Sequence, residues 1–152
     1  MGKIVRASRD DVLMENAVSW SKRATCLRKS VGAVFAKEGR PIISGYNGAP
    51  SGMPHCLDEG CIIGPHKGCV RCNHAEANAI SWAARKGLPL EGSTLYVTVS
   101  PCENCAMLLI NLGLERVVYL EEYRDKSGLV RLKDSGITIH HYEDIRSLYG
   151  FK

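Results

Sequence analysis

His74, Cys102 and Cys105 are three zinc-type donors, and Glu76 stands two residues beyond the histidine. Three protein ligands leave a tetrahedral Zn²⁺ one open position, the arrangement of hydrolytic rather than structural zinc. Such an ion lowers the pKa of its water towards neutrality, and a neighbouring carboxylate moves protons for that water without binding the metal. The chemistry this set supports is attack by an activated water, with Glu76 as proton carrier. The alternative is a closed four-sulfur ribbon built from Cys69-x-x-Cys72 and Cys102-x-x-Cys105, which would make the chain a binding module. A ribbon needs neither Glu76 nor the proline and strand ahead of Cys102, so the open site is the better reading.

The elements that must position these residues follow from periodicity. Ser8 and Asp11 form a capping-box-like start for a helix running to about Ala24. Val31 to Ala36 and Ile42 to Tyr46 read as a β-hairpin around a turn at Lys37–Pro41. From Asn47 to Asn73 the pattern breaks into a loop rich in Gly, Pro, His and Cys, and its four cysteines suggest a metal pin. His74 to Arg85 has helical spacing and Gly87 as its C-cap, and Thr94–Val99 is a strand. A helix from Pro101 to about Leu112 would put both cysteines on one face of its first turn, where the helix end stabilises thiolates. Strands at Arg116–Leu120 and Ile137–His140 flank a helix at Ser127–Asp134. Helices between strands imply an α/β fold with part of the sheet parallel and helices on both faces. Residues 1–152 are expected to form one domain, with 47–73 as an insertion.

The chain has 152 residues with 45% hydrophobic content, enough for a full core, and a net charge of +4. That charge permits a phosphate-bearing substrate without demanding nucleic acid. No apolar run is long enough to span a bilayer. Lys3, Arg6 and Arg9 have no apolar block behind them, so a secretory leader is not expected. Seven cysteines, including two C-x-x-C pairs, point to zinc in a reducing cytoplasm rather than to disulfides.

The order H-x-E followed by P-C-x-x-C is the signature of the zinc deaminases. Four further stretches carry a more specific resemblance: Cys26-Leu27-Arg28, Gly45-Tyr46-Asn47-Gly48-Ala49-Pro50-Ser51-Gly52, His55-Cys56, and His74-Ala75-Glu76-Ala77-Asn78. With Pro101–Cys105, Tyr123 and Asp134–Ile137 they make the chain resemble the deoxycytidylate deaminases from about Cys26 to Ile139. The resemblance implies a three-layer α/β/α fold with a mixed five-stranded sheet, and conversion of dCMP to dUMP in a homohexamer. It also implies activation by dCTP and inhibition by dTTP near Asn47, Gly48 and Gly52.

On this resemblance one zinc sits on His74, Cys102 and Cys105, with Glu76 catalytic. The amide of Ala75 or Cys102 holds the base carbonyl, and Ser100 and Tyr123 flank the nucleotide. Asn47 reaches sugar or base, although Asn47-Gly48 is also a strong turn dipeptide. Arg28 grips the 5′-phosphate, with Arg85, Arg124 and Lys126 as rival cations. The cysteine-rich loop looks like a second, structural zinc site on Cys26, Cys56, Cys61 and Cys69. Cys72, His55 and His66 are substitutes, and Cys72 lies only two residues from His74. The expected location is the cytoplasm, a host's if the chain is phage-encoded, with no membrane or nucleic-acid partner. A free-nucleoside or tRNA adenosine deaminase would share the zinc signature. A tRNA enzyme, however, should show a basic, aromatic-rich surface, and this chain has 7% aromatics.

Overall fold

In a computed structural model, residues 5–147 are described, and Lys3 of the basic N-terminal stretch lies outside them. The described residues hold five strands: β1 Gly32–Lys37, β2 Arg40–Tyr46, β3 Thr94–Val99, β4 Arg116–Glu121 and β5 Thr138–His141. They form one mixed sheet in the order β2-β1-β3-β4-β5. β1 is antiparallel to β2 and β3, while β3, β4 and β5 run parallel.

The period-two alternation of side chains separates two apolar layers. Ala33, Phe35, Leu95, Val97, Val117 and Tyr119 face helices α3 (Ala75–Lys86), α4 (Glu103–Asn111) and α5 (Ser127–Asp134). Val34, Ala36, Tyr96 and Val118 face α1 (Arg9–Ser21) and the short α6 (Tyr142–Ile145). This is the expected three-layer α/β/α architecture. No described helix is long and apolar enough to cross a membrane.

Several boundaries shift for identifiable reasons. The hairpin turn tightens to Glu38-Gly39, both with positive φ (54° and 73°), as a two-residue connection requires. β2 is an outer strand among the described residues. It carries Arg40 and Pro41 on its rim, and pairing with β1 shifts register between Phe35 and Ala36. α1 stops at Ser21, and three-residue turns carry the chain on to Ala24. α4 starts at Glu103 rather than Pro101, because Cys102 stays extended (φ −70°, ψ 170°) as the N-cap. The short helices α2 (Cys56–Glu59) and α6 have too few residues to show a period and were not foreseen.

Two neighbouring acids fasten α1 to the sheet. Asp10 receives both Arg116 guanidinium nitrogens, at 2.8 and 3.1 Å, and the Tyr96 hydroxyl at 2.5 Å. Asp11 completes the Ser8 capping box and accepts hydrogen bonds from Tyr142 and Ser147. Burial pushes the Asp11 carboxyl up, but hydrogen bonds from Ser147, Tyr142 and the Ser8 amide outweigh burial and hold it well below the usual carboxylate range. A depressed native pKa gives stability that is full above the unfolded-state pKa of about 3.9 and lost as pH falls towards the native value. Asp11→Ala is therefore expected to lower unfolding free energy by about 2–4 kcal/mol at pH 7. In urea titrations the gap to the wild type should shrink progressively below about pH 5.

Candidate functional site

Two helix starts converge at the carboxyl end of the parallel strands. His74 is the extended N-cap of α3 (φ −68°, ψ 156°), and Cys102 is the N-cap of α4 with Cys105 one turn inside. The Cys102 sulfur accepts the Cys105 amide at 3.5 Å, so a metal-type donor also caps the helix.

Two close backbone approaches set these helix ends. A Cβ on Gly45 of β2 would lie 2.4 Å from the Ala75 carbonyl oxygen and 2.7 Å from the Ala79 nitrogen. A Cβ on Gly128 of α5 would lie 2.1 Å from the Pro101 oxygen and 2.8 Å from the Cys102 carbonyl carbon. Only glycine permits either contact.

The His74 Nδ1 atom lies 3.4 Å from Cys102 Sγ and 3.6 Å from Cys105 Sγ. Tetrahedral zinc with Zn–S of about 2.3 Å and Zn–N of about 2.0–2.1 Å requires neighbouring donors roughly 3.6–3.8 Å apart. The three residues fit such an ion, and their types suit zinc. Hydrogen bonding with Cys105 and His74 holds the Cys102 thiol down at about 4, while Cys102 and burial push Cys105 up. The Cys102 hydrogen bond also raises His74. Glu76 is 4% exposed, and burial raises its carboxyl to about 7. A carboxyl held there can both take and give a proton near neutral pH.

His74, Glu76 and Cys102 border a cavity of about 270 Å³, near the small end of the ~300–1,000 Å³ range of small-molecule sites. Ala75, Ser100, Asn47, Arg28 and Tyr123 all line it. Lys29 and Arg124 line it too. Lys29 was not singled out, since nothing in the local sequence separates it from Arg28. The Arg124 guanidinium lies 5.7 Å from the Tyr123 ring centre. The other rival cations stand elsewhere: Arg85 packs over Trp82, and Lys126 pairs with Glu122 at 2.8 Å. The Ser100 hydroxyl oxygen accepts the Tyr123 amide at 2.7 Å, which fixes where that ring enters. Gly48 pairs through its backbone with Asn73, and neither Gly48 nor Gly52 lines the cavity.

Asn47 departs from the expectation of a side chain extended towards a ligand. Its Oδ1 accepts the Val31 amide and its Nδ2 donates to the Lys29 carbonyl, both at 2.7 Å. Its own carbonyl and amide bond Thr25 and Val31. Asn47 therefore clamps the Thr25–Val31 segment, which presents Cys26, Arg28 and Lys29.

The second cysteine group also differs from the expected set. Cys26, Cys56, Cys69 and Cys72 place their sulfurs within 4.8 Å of one another. Cys56 lies 3.5 Å from Cys69 and 3.4 Å from Cys72. Cys72 thus stands where Cys61 was expected, because the C-x-x-C spacing turns both thiols to one side and its nearness to His74 imposes no conflict. Cys61 stays beside the group, 3.9 Å from Cys26. His55 instead bonds Thr25 through Nδ1 at 2.9 Å, and His66 is exposed outside the group. Cys26, Cys69 and Cys72 line the same cavity as His74 and Glu76.

An open three-donor site beside a buried carboxylate defines a zinc-type hydrolase centre. Residues 7–121 match the cytidine and deoxycytidylate deaminase zinc-binding region. The chain is 38% identical to ComE operon protein 2 of Bacillus subtilis over 140 residues, 91% of this chain and 73% of that protein. It is 34% identical to the deoxycytidylate deaminase of Saccharomyces cerevisiae over 149 residues, 93% of this chain but only 47% of the yeast protein. The structure of the dCMP deaminase of cyanophage S-TIM5 in complex with dCMP and dUMP superposes with a TM-score of 0.79 at 28% identity, covering 91% of this chain and all of that one. This chain belongs to the cytidine and deoxycytidylate deaminase family.

Asn47→Ala removes both side-chain bonds of the clamp and is expected to cost about 2–4 kcal/mol of stability. Hydrogen exchange checks the location of the effect: the Val31 amide should lose protection while β3 amides exchange as in the wild type.

Proposed function

We propose that this chain deaminates dCMP, giving dUMP and ammonia with consumption of one water. The carrying observation is the single cavity that joins the three-donor cluster and buried Glu76 to a rim of Arg28, Lys29 and Arg124. An aminopyrimidine can face the donors while its 5′-phosphate meets the cations, and an Arg fork suits phosphate geometry.

Zinc on His74, Cys102 and Cys105 supplies the Lewis acidity that makes a nucleophile of water at neutral pH. Glu76 accepts a proton from that water and delivers it to the ring nitrogen beside the amine-bearing carbon. A C–O bond forms at that carbon, Glu76 takes the remaining proton from the new hydroxyl and hands it to the amine, and the C–N bond breaks with release of ammonia. The Ala75 amide and the Ser100 hydroxyl orient the base, and Tyr123 covers it. Burial of Glu76 keeps bulk solvent from competing for the proton.

The same reading gives the Cys26, Cys56, Cys69 and Cys72 group a structural zinc that secures the 47–73 segment, which has little apolar interior of its own. It further assigns the chain a cytoplasmic setting, a homohexameric assembly, and regulation by dCTP and dTTP through the Asn47–Gly52 loop.

Ammonia release from dCMP, deoxycytidine and a tRNA anticodon stem-loop tests the substrate class. dCMP should react best, and Arg28→Ala should raise KM for dCMP about tenfold without changing turnover of deoxycytidine. Preference for either of the other two substrates would overturn the reading. Glu76→Gln should lower kcat by about 10²–10⁴-fold while metal analysis still finds about two zinc ions per chain.

A further inference from the structure

Five thiols gather where a four-coordinate ion takes four. Cys61 lies outside the mutually close quartet, yet its sulfur is 3.9 Å from that of Cys26. Both thiols are partly exposed, whereas Cys56 is buried. Cys61 follows Gly60, whose φ of 80° ends α2, and sits in no regular element. Closing that gap to a disulfide length of about 2.05 Å calls for a side-chain rotation and a backbone shift there. Cys26 is two residues from Arg28, and both line the cavity.

We propose that Cys26 and Cys61 are an oxidisable pair through which a peroxide expels the ion of the loop cluster and loosens one wall of the nucleotide cavity. The inference rests on reading the quartet as a zinc site. The uncommitted sulfur of Cys61 attacks the peroxide O–O bond, gaining one oxygen as a sulfenic acid and releasing hydroxide. The Cys26 sulfur then attacks the Cys61 sulfur. An S–S bond forms, a second hydroxide leaves, and two protons convert both hydroxides to water. Two sulfurs are oxidised, the peroxide oxygens are reduced, and Zn²⁺ departs in its original oxidation state. Cys56, Cys69 and Cys72 remain as three donors, too few for a closed structural site. The new bond draws the Cys26 end of the Thr25–Val31 segment towards Cys61, away from the geometry that presents Arg28 and Lys29.

The test uses the zinc-loaded full chain, hydrogen peroxide, a metallochromic dye and peptide mass mapping. Oxidation should yield a Cys26–Cys61 linked peptide together with loss of one of two bound ions, reversed by dithiothreitol and added zinc. Cys61→Ser should load the same two ions and release metal about tenfold more slowly under peroxide. A chain that starts with two ions and yields no such link overturns the pair, as does wild-type release from Cys61→Ser. If Cys61→Ser loads only one ion, Cys61 is a ligand and the pair is likewise excluded. A wild-type chain that starts with one ion removes the loop zinc itself, a different failure that the untreated sample reveals.

Discussion

The site depends on two places where backbone touches backbone. Gly45 lets the first turn of α3 lie directly on β2, and Gly128 lets α5 press on the Pro101–Cys102 peptide. His74 heads the first of these helices and Cys102 the second. Donor separations that suit a metal must hold to a few tenths of an ångström, which long side chains packed loosely could not guarantee. Contacts lacking any intervening side chain leave the helix ends little freedom, so the donors inherit the rigidity of the sheet.

The electrostatic design follows the same geometry. Both helices offer their amino ends, and therefore partial positive charge, to sulfur and imidazole. Glu76 sits at 4% exposure in the first turn of α3. Burial is the largest influence lifting its carboxyl, with the nearby Cys102 charge adding to it, so proton-carrying capacity arises mainly from position. The opposite treatment is given to Asp10 and Asp11, whose hydrogen-bond partners overcome burial and keep both carboxylates charged. One chain thus uses burial to raise a carboxyl at the reactive centre and hydrogen bonds to lower two others at a structural joint.

How much of this was legible in the residues varied with the range of the interaction. The alternation in Thr94–Val99 and the 74–87 helix with its glycine stop are local patterns, and they appeared where expected. His74, Glu76, Cys102 and Cys105 were readable because helix starts force those spacings. The loop ligands were not, since choosing between Cys61 and Cys72 needs the path of a chain without periodicity. Asn47 was visible as a turn residue and as a ligand candidate. Its role as a clamp on Lys29 and Val31 is a contact across 16–18 positions that no spacing rule reports. The N-cap role of Cys102 was missed because sulfur is a weak acceptor and rarely counted among caps.

The rim of β2 has a consequence for crowded solution. Pro41 offers no amide proton there, Arg40 carries charge, and the neighbouring register shift distorts the ribbon. A foreign strand arriving at that border finds an interrupted row of donors and an electrostatic penalty. Growth of the sheet into fibres by strand addition is thereby discouraged on that flank.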